Sequence, residues 1–317
     1  MKNYSINPKE AYLLEQFSSL QFFETMRNNY HLFLDGLEEL FEIYMHNLPY
    51  NLRDLPLPEQ ADINWGGTVL PNLRGTMDRI NYAYAKIKAG DFTYLDCVGE
   101  IRSNDKGLSE FSPHWMDDLP TDKVWQTFDY YSKAKQYASI IEYTYPTSWK
   151  KDFLAKEFPS LSLFSNIDIE LPASYPIYRI NPEIKIKTGE KVVQKGIYIC
   201  EELDMGLTFI AFSPEKDNGL APEYTRRNSE TGENMYFETM WTLVERIADE
   251  GGSTETIQAE NLKGFGGEIC PYSGQWWSPA NQSEKRYFEQ GDTFPKLKNN
   301  FWGKTIWYLE VTNQIKD

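Results

Sequence analysis

PSLSLFSNIDIELPASYPIYRINPEIKIK, residues 159 to 187, is where the hydrophobic rhythm of the chain changes. Upstream, apolar residues recur at steps of three and four, the spacing that stacks them on one helical face. Inside the stretch the period falls to two, in the alternating run Glu183-Ile184-Lys185-Ile186-Lys187. The Pro- and Ser-containing segment from Pro159 to Pro176 is therefore the expected boundary. The class this implies is α+β, with an N-terminal helical bundle over 1-160 followed by a β-rich domain over 161-317.

Working back from the boundary, Leu34, Leu37, Phe41, Tyr44 and Leu48 share one face, with Asp35, Glu38, Glu39 and Glu42 largely opposite. Leu73, Met77, Ile80, Tyr84 and Ile87 repeat the pattern, between Pro71 and a terminating Gly90. Val124, Phe128, Tyr131, Ala138 and Ile141 do so again after a Thr121 N-cap and Asp122. A helix around Leu13, Phe17 and Leu20 precedes these, and a short one from Trp149 to Phe158 follows. Two stretches read as irregular: NLPYNLRDLPLPEQADINWGGTVLPN and RSNDKGLSEFSPHWMDDLP. A loop as long as the first, inside a compact domain, is often functional.

Working forward, Gly196-Ile197-Tyr198-Ile199-Cys200 and the Leu207 to Phe212 run form an expected hairpin, and Lys304 to Val311 alternates as a strand. Phe237, Met240, Val244 and Ile247 share a helical face, which predicts one inserted helix at about 235-249. A weak repeat suggests a duplicated small β-module. Its first copy has Gly196-Ile-Tyr198, Phe212 and Gly219-Leu-Ala-Pro222. Its second has Gly274-Gln-Trp276, Tyr287-Phe288 and Gly291 to Pro295.

The 317 residues carry 32 Lys and Arg against 47 Asp and Glu, a formal net charge of -15. That disfavours nucleic acid and anionic membrane surfaces as partners and suits a basic protein. Aromatic residues make up 15% of the chain, and Tyr and Trp suit interfaces. Three cysteines without a CxxC pair fit a reducing compartment. MKNYSINPKEAYLLEQF lacks the apolar core of a signal peptide, so the expected location is cytoplasmic.

No catalytic constellation emerges, and neither an enzyme nor a cofactor is expected. His31 and His46 sit at helix ends. His114 has Asp117 and Asp118 close by, but three side chains in one loop do not fix a metal geometry. Gly264-Phe265-Gly266-Gly267 lacks the spacing and Lys of a P-loop and reads as a flexible connection. Acidic pairs such as Glu201-Glu202 are commonplace on a surface of this charge.

Two segments are distinctive: Trp65-Gly66 leading into LPNLRGTMDRINYAY (70 to 84), and GEICPYSGQWWSPANQSEKRYFEQGDTFP (267 to 295). Together they resemble the immunity proteins of bacterial polymorphic-toxin systems, the immunity protein 71 and 72 families. The resemblance implies a binding protein, encoded beside a secreted type VI or Rhs-type toxin, that neutralises this cognate toxin in the cytoplasm without chemistry, by occluding its active site or locking it inactive. The alternatives are an enzyme that reverses a toxin-made modification, using His114, Asp117 and Asp118, and an adaptor of the secretion machinery. Backbone demands assign Cys270, Pro271, Ser273, Gly274, Gly291 and Pro295 to the fold. The candidate toxin-contacting residues are Glu38, Glu39, Glu42, Asp117, Asp118, Trp276 and Trp277. Strand alternation turns one tryptophan of that pair inward and leaves the outward one for contact.

Overall fold

Asn7 starts the first helix, α1 (Pro8–Phe17), by accepting from the Lys9 and Glu10 amides, with Pro8 in the first turn where its missing N–H costs nothing. Ser18 and Ser19 then break the helix. Ser18 Oγ donates to the Leu14 carbonyl, while Ser19 Oγ accepts from the Phe22 amide and opens α2 (Leu20–His46). The computed structural model describes residues 6–200, 206–213, 219–227, 231–252, 263–271, 273–278, 281–297 and 305–309. Glu201-Glu202 and both ends of the Lys304–Val311 run lie outside them.

One stripe of α2, from Phe22 through Phe33 and Leu37 to Tyr44, is buried between α4 (Leu70–Lys88) and α6 (Thr121–Thr144). Gly36 makes this approach possible, since a Cβ there would sit 2.6 Å from Thr127 Oγ1. Leu48 falls beyond the helix and is exposed. Pro120 occupies the cap of α6, so Thr121 begins that helix instead of capping it. The short helix after it, α7 (Phe153–Glu157), is narrower than the Trp149 to Phe158 span expected.

Both stretches read as irregular contain helix. In the first, α3 (Ala61–Asn64) passes through a π-helical turn, Trp65–Val69, directly into α4. In the second, α5 (Gly99–Glu110) buries only Ile101, so it carries no apolar period to read. No helix among the described residues is long and apolar enough to cross a membrane.

The second half forms two four-stranded antiparallel sheets and a small hairpin, β4 (Tyr224–Arg227) with β5 (Asn234–Phe237). The first sheet has the order β1 (Tyr175–Lys187), β6 (Met240–Gly252), β2 (Gly196–Cys200), β3 (Thr208–Ile210). The second has the order β7 (Lys263–Phe265), β10 (Ile306–Leu309), β8 (Gly274–Ser278), β9 (Asn281–Phe288). The inserted helix expected at 235-249 is absent; β5 and β6 occupy that stretch. Its misreading has a physical cause, because Trp241, Thr242, Leu243 and Val244 are all buried. A strand covered on both faces loses its alternation.

The two sheets are copies in register. Tyr198 pairs with Leu243 where Trp276 pairs with Leu309, and Ile186 pairs with Trp241 where Gly264 pairs with Trp307. Gly196 opposes Ile210 as Gly274 opposes Phe288. Gly189, at φ 81°, donates to the Ala221 carbonyl as Gly267, at φ 98°, donates to that of Phe294. The Trp241 indole donates to the Pro222 carbonyl at 2.8 Å, and the Trp307 indole to that of Pro295 at 3.1 Å. The register replaces two expected correspondences: Ile210, not Phe212, is the counterpart of Phe288, and Asp292, not Gly291, is that of Gly219, since Cys270 donates to the Asp292 carbonyl as Val192 does to that of Gly219.

Each unit has its own inner core. Tyr198, Cys200, Ile210, Trp241 and Leu243 build the first, while Trp276, Phe288, Phe294, Trp307 and Cys270 build the second. The opposite face of the first sheet differs. Ile197, Ile199, Leu207, Phe209 and Val244 join one continuous core with the helices. Each such side chain, fully buried, contributes about 1.5–3 kcal/mol.

The Gly264 to Gly267 stretch is not a flexible connection. It is strand and tight turn, and Gly264 leaves room for the Phe294 ring, 2.2 Å from where a Cβ would lie. Gly264→Ala is expected to cost about 1–3 kcal/mol, read from the shift of a denaturant melt. An unchanged midpoint would show that Phe294 moves aside freely.

Candidate functional site

A hollow of about 300 Å³ opens at the C-terminal end of α2. Its walls come from three separated parts of the chain: Ile43, Tyr44 and Pro49; Leu55 from the Pro-rich segment; Trp115, Leu119 and Pro120. Glu59, His114 and Asp118 also line it, and all three are exposed. The lining is thus largely apolar, with carboxylates at the rim.

Trp115 organises the floor. Its ring meets Trp65 at 5.3 Å, Tyr44 at 5.4 Å and Phe41 at 5.5 Å, all edge-on or tilted, the arrangement aromatic quadrupoles favour. The Trp65-Gly66 motif serves this cluster. The Trp65 indole donates to the Ser112 carbonyl at 3.0 Å and so ties the π-turn to the segment carrying Trp115. A Cβ on Gly66 would lie 3.0 Å from the Phe41 ring. Trp115 Nε1 is buried and has no hydrogen-bond partner among the described residues, a cost of roughly 1–3 kcal/mol for a donor out of water.

The Pro-rich wall is held by its own polar ties. Arg53 grips Asp62 at 2.5 Å and Gln60 at 2.9 Å, and the Gln60 amide donates to the Leu55 carbonyl. The Arg53 guanidinium holds the Asp62 carboxyl below its usual range. Burial, with a smaller push from Asp62, raises the Tyr44 phenol, so it keeps its proton at neutral pH. Along the chain beside these walls stand Leu48, Leu57 and Tyr50, each exposed, Tyr50 completely.

Of the residues singled out in the sequence, the structure brings Asp118 to the hollow and places Asp117 beside it, 3.0 Å from His114 Nδ1. Glu42 is exposed one residue before Ile43. Glu38 and Glu39 lie further back on α2, where they bind Arg74 of α4 and Lys123 of α6. Their charge is spent on joining helices. Glu59 and Trp115 carry no signal of a site in the sequence, and Tyr44 reads there as one of an apolar helical face, although Glu59 lies within the long Pro-rich loop.

The tryptophan pair lies elsewhere, in the second β unit. Trp276 is 0% exposed, so it is a core residue and not a contact. Trp277 faces the other way and stacks on Tyr308 at 5.3 Å. The motif residues around them make hydrogen bonds and packing contacts within the unit. Cys270 exchanges backbone hydrogen bonds with Gly291 and Asp292, Ser273 Oγ accepts from the Gln290 amide, and Gly274 leaves room for Leu309. Pro271 is half-buried, Pro295 accepts from Trp307, and Gly291 adopts φ 95° against Ile247.

No group of three or more His, Cys, Asp or Glu side chains among the described residues is placed to hold a metal ion. Comparison with protein-family models, with curated proteins and with solved structures finds no match.

Proposed function

We propose that this chain binds and neutralises a partner protein by seating a basic side chain of that partner in the acidic-rimmed hollow. The observation that carries the reading is the combination of an aromatic floor with exposed carboxylates at Glu59 and Asp118. An arginine stem can lie against Tyr44 and Trp115 while its guanidinium meets the rim, joining cation–π attraction to charge-assisted hydrogen bonds. The exposed Leu48, Tyr50 and Leu57 supply apolar contact around it. The overall charge of -15 accelerates encounter with such a basic partner.

The resemblance to polymorphic-toxin immunity proteins supports one class of partner: a secreted antibacterial toxin encoded beside this chain, silenced in the cytoplasm by occlusion of its active site or by being locked inactive. Co-expression with the product of the adjacent gene tests this. The expected result is a stoichiometric complex by size exclusion and calorimetry, with the toxin inactive.

Glu59→Lys combined with Asp118→Lys is expected to weaken that complex about 100-fold and to slow association, most at low salt. Both positions are exposed, so the circular dichroism melt should stay unchanged. Full affinity in the double variant would sink the hollow as the site. Protection of the cell without any complex would instead favour the enzymatic reading at His114, Asp117 and Asp118.

A further inference from the structure

Because the two β units share strand order and register, each position in one has a counterpart in the other. In the first unit, Ile197, Ile199, Leu207 and Phe209 form the face that packs on the helices. Helix α1 lies across it, touching β1, β2 and β3. Glu15 at the edge of that helix reaches Arg246 at 3.1 Å and accepts from the Tyr178 hydroxyl at 2.9 Å.

The counterparts in the second unit are Gln275, Trp277, Lys285 and Tyr287. Purely apolar side chains have given way to polar and amphipathic ones. Register places Lys263, Tyr308, Trp277 and Lys285 in one row across the four strands, all on the same face. Two aromatic rings, stacked on each other, therefore stand between two exposed lysines. Tyr287 beside them is 44% exposed. Such a face keeps the large contact area of Trp and Tyr, and it gathers positive charge in a chain that is otherwise strongly acidic.

We infer that this face docks an amphipathic helix of a partner protein, one whose apolar stripe is flanked by carboxylates. The first unit supplies the precedent, since its equivalent face already takes a helix with a glutamate paired at the edge. Charge complementarity with Lys263 and Lys285 selects acidic flanks over basic ones. The surface lies in the β half, and the inference does not depend on the hollow at the end of the bundle.

The test uses the full chain labelled with fluorotryptophan, the Trp277 resonance being assigned with Trp277→Phe. The probes are two short stapled helices with the same Leu and Phe stripe, one flanked by Glu and one by Lys. The Glu-flanked helix is expected to shift the Trp277 signal saturably and to bind about tenfold tighter than the Lys-flanked one. Lys263→Glu with Lys285→Glu, both at exposed positions, is expected to reverse that preference. The inference is overturned if the Trp277 signal stays still, or if both helices act alike. It is equally overturned if the signal follows protein concentration alone, which would mean a second copy, or responds more strongly to an oligo-dT strand.

Discussion

Trp307→Ala is expected to lower the stability of the second β unit by about 3–5 kcal/mol, the usual range for deleting a buried tryptophan. The ring is fully buried, stacks on Phe294, meets Phe288 edge-on and bonds the Pro295 carbonyl. Among the described residues Cys270, Trp276, Phe288 and Phe294 complete its buried core, with Leu297 and Leu309 packed against it, a small neighbourhood to absorb the cavity. Hydrogen exchange should show the amides of β7, β8 and β10 losing protection about 100-fold or more, with α2 and α6 unchanged. Uniform loss across both halves would instead mean that the unit unfolds only with the whole molecule. The counterpart, Trp241→Ala, removes the same indole from a unit whose other face is fused to the helices. Its effect should therefore spread into the bundle.

The second large effect concerns Glu10, a carboxylate only 2% exposed on α1. Burial raises its pKa from 4.5 to about 7, and repulsion from Asp152 adds to this. The backbone of Asp152 and Leu207 and the charge of Lys151 offset part of the push, but among the described residues neither oxygen has a well-aligned hydrogen bond. A pKa raised in the folded state means that folding favours the protonated form. The stabilising contribution is complete below about pH 4.5 and is lost as pH rises through about 7. A displacement of that size corresponds to roughly 3 kcal/mol. Glu10→Gln should accordingly be close to neutral at pH 4.5 and more stable than the parent at pH 8, by up to that amount. Guanidinium melts of both proteins at the two pH values decide the matter. Parallel curves would show that Glu10 is solvated in the folded chain.

These outcomes bear on how far the sequence could be read. The long helices were legible because α2, α4 and α6 each bury one face, which leaves a three-and-four period in the residues. Helix α5 was not, because Ile101 is its one buried residue and solvent imposes no pattern on the others. Strand β6 reads as a helix for the opposite reason: both its faces are covered over Trp241 to Val244, so four successive residues are buried and no period of two shows. The duplication is visible at Gly196 and Gly274 and at Pro222 and Pro295, where backbone geometry demands particular residues, and in the aromatic character shared by Tyr198 and Trp276. Its cores diverged in sequence as Tyr198 to Trp276 and Ala221 to Phe294. The hollow was half legible. Asp118 stood out by its charge and its neighbours, but Tyr44, Leu55 and Trp115 converge through packing, which no local spacing encodes.

The pairing of Glu15 with Arg246 also has a temporal side, for the two residues are 231 positions apart. At ribosomal speeds of roughly 5–20 residues per second, the arginine is made some 10–45 s after the glutamate. For most of that interval α1 can complete its own turns and meet α2, α6 and α7, and then β1, β2 and β3, but β6, the strand that joins β1 to β2 in the sheet, has yet to be synthesised. Phe17 finds Trp149, Phe158 and Phe164 early, so the bundle side of α1 is sheltered well before the ion pair closes on its sheet side.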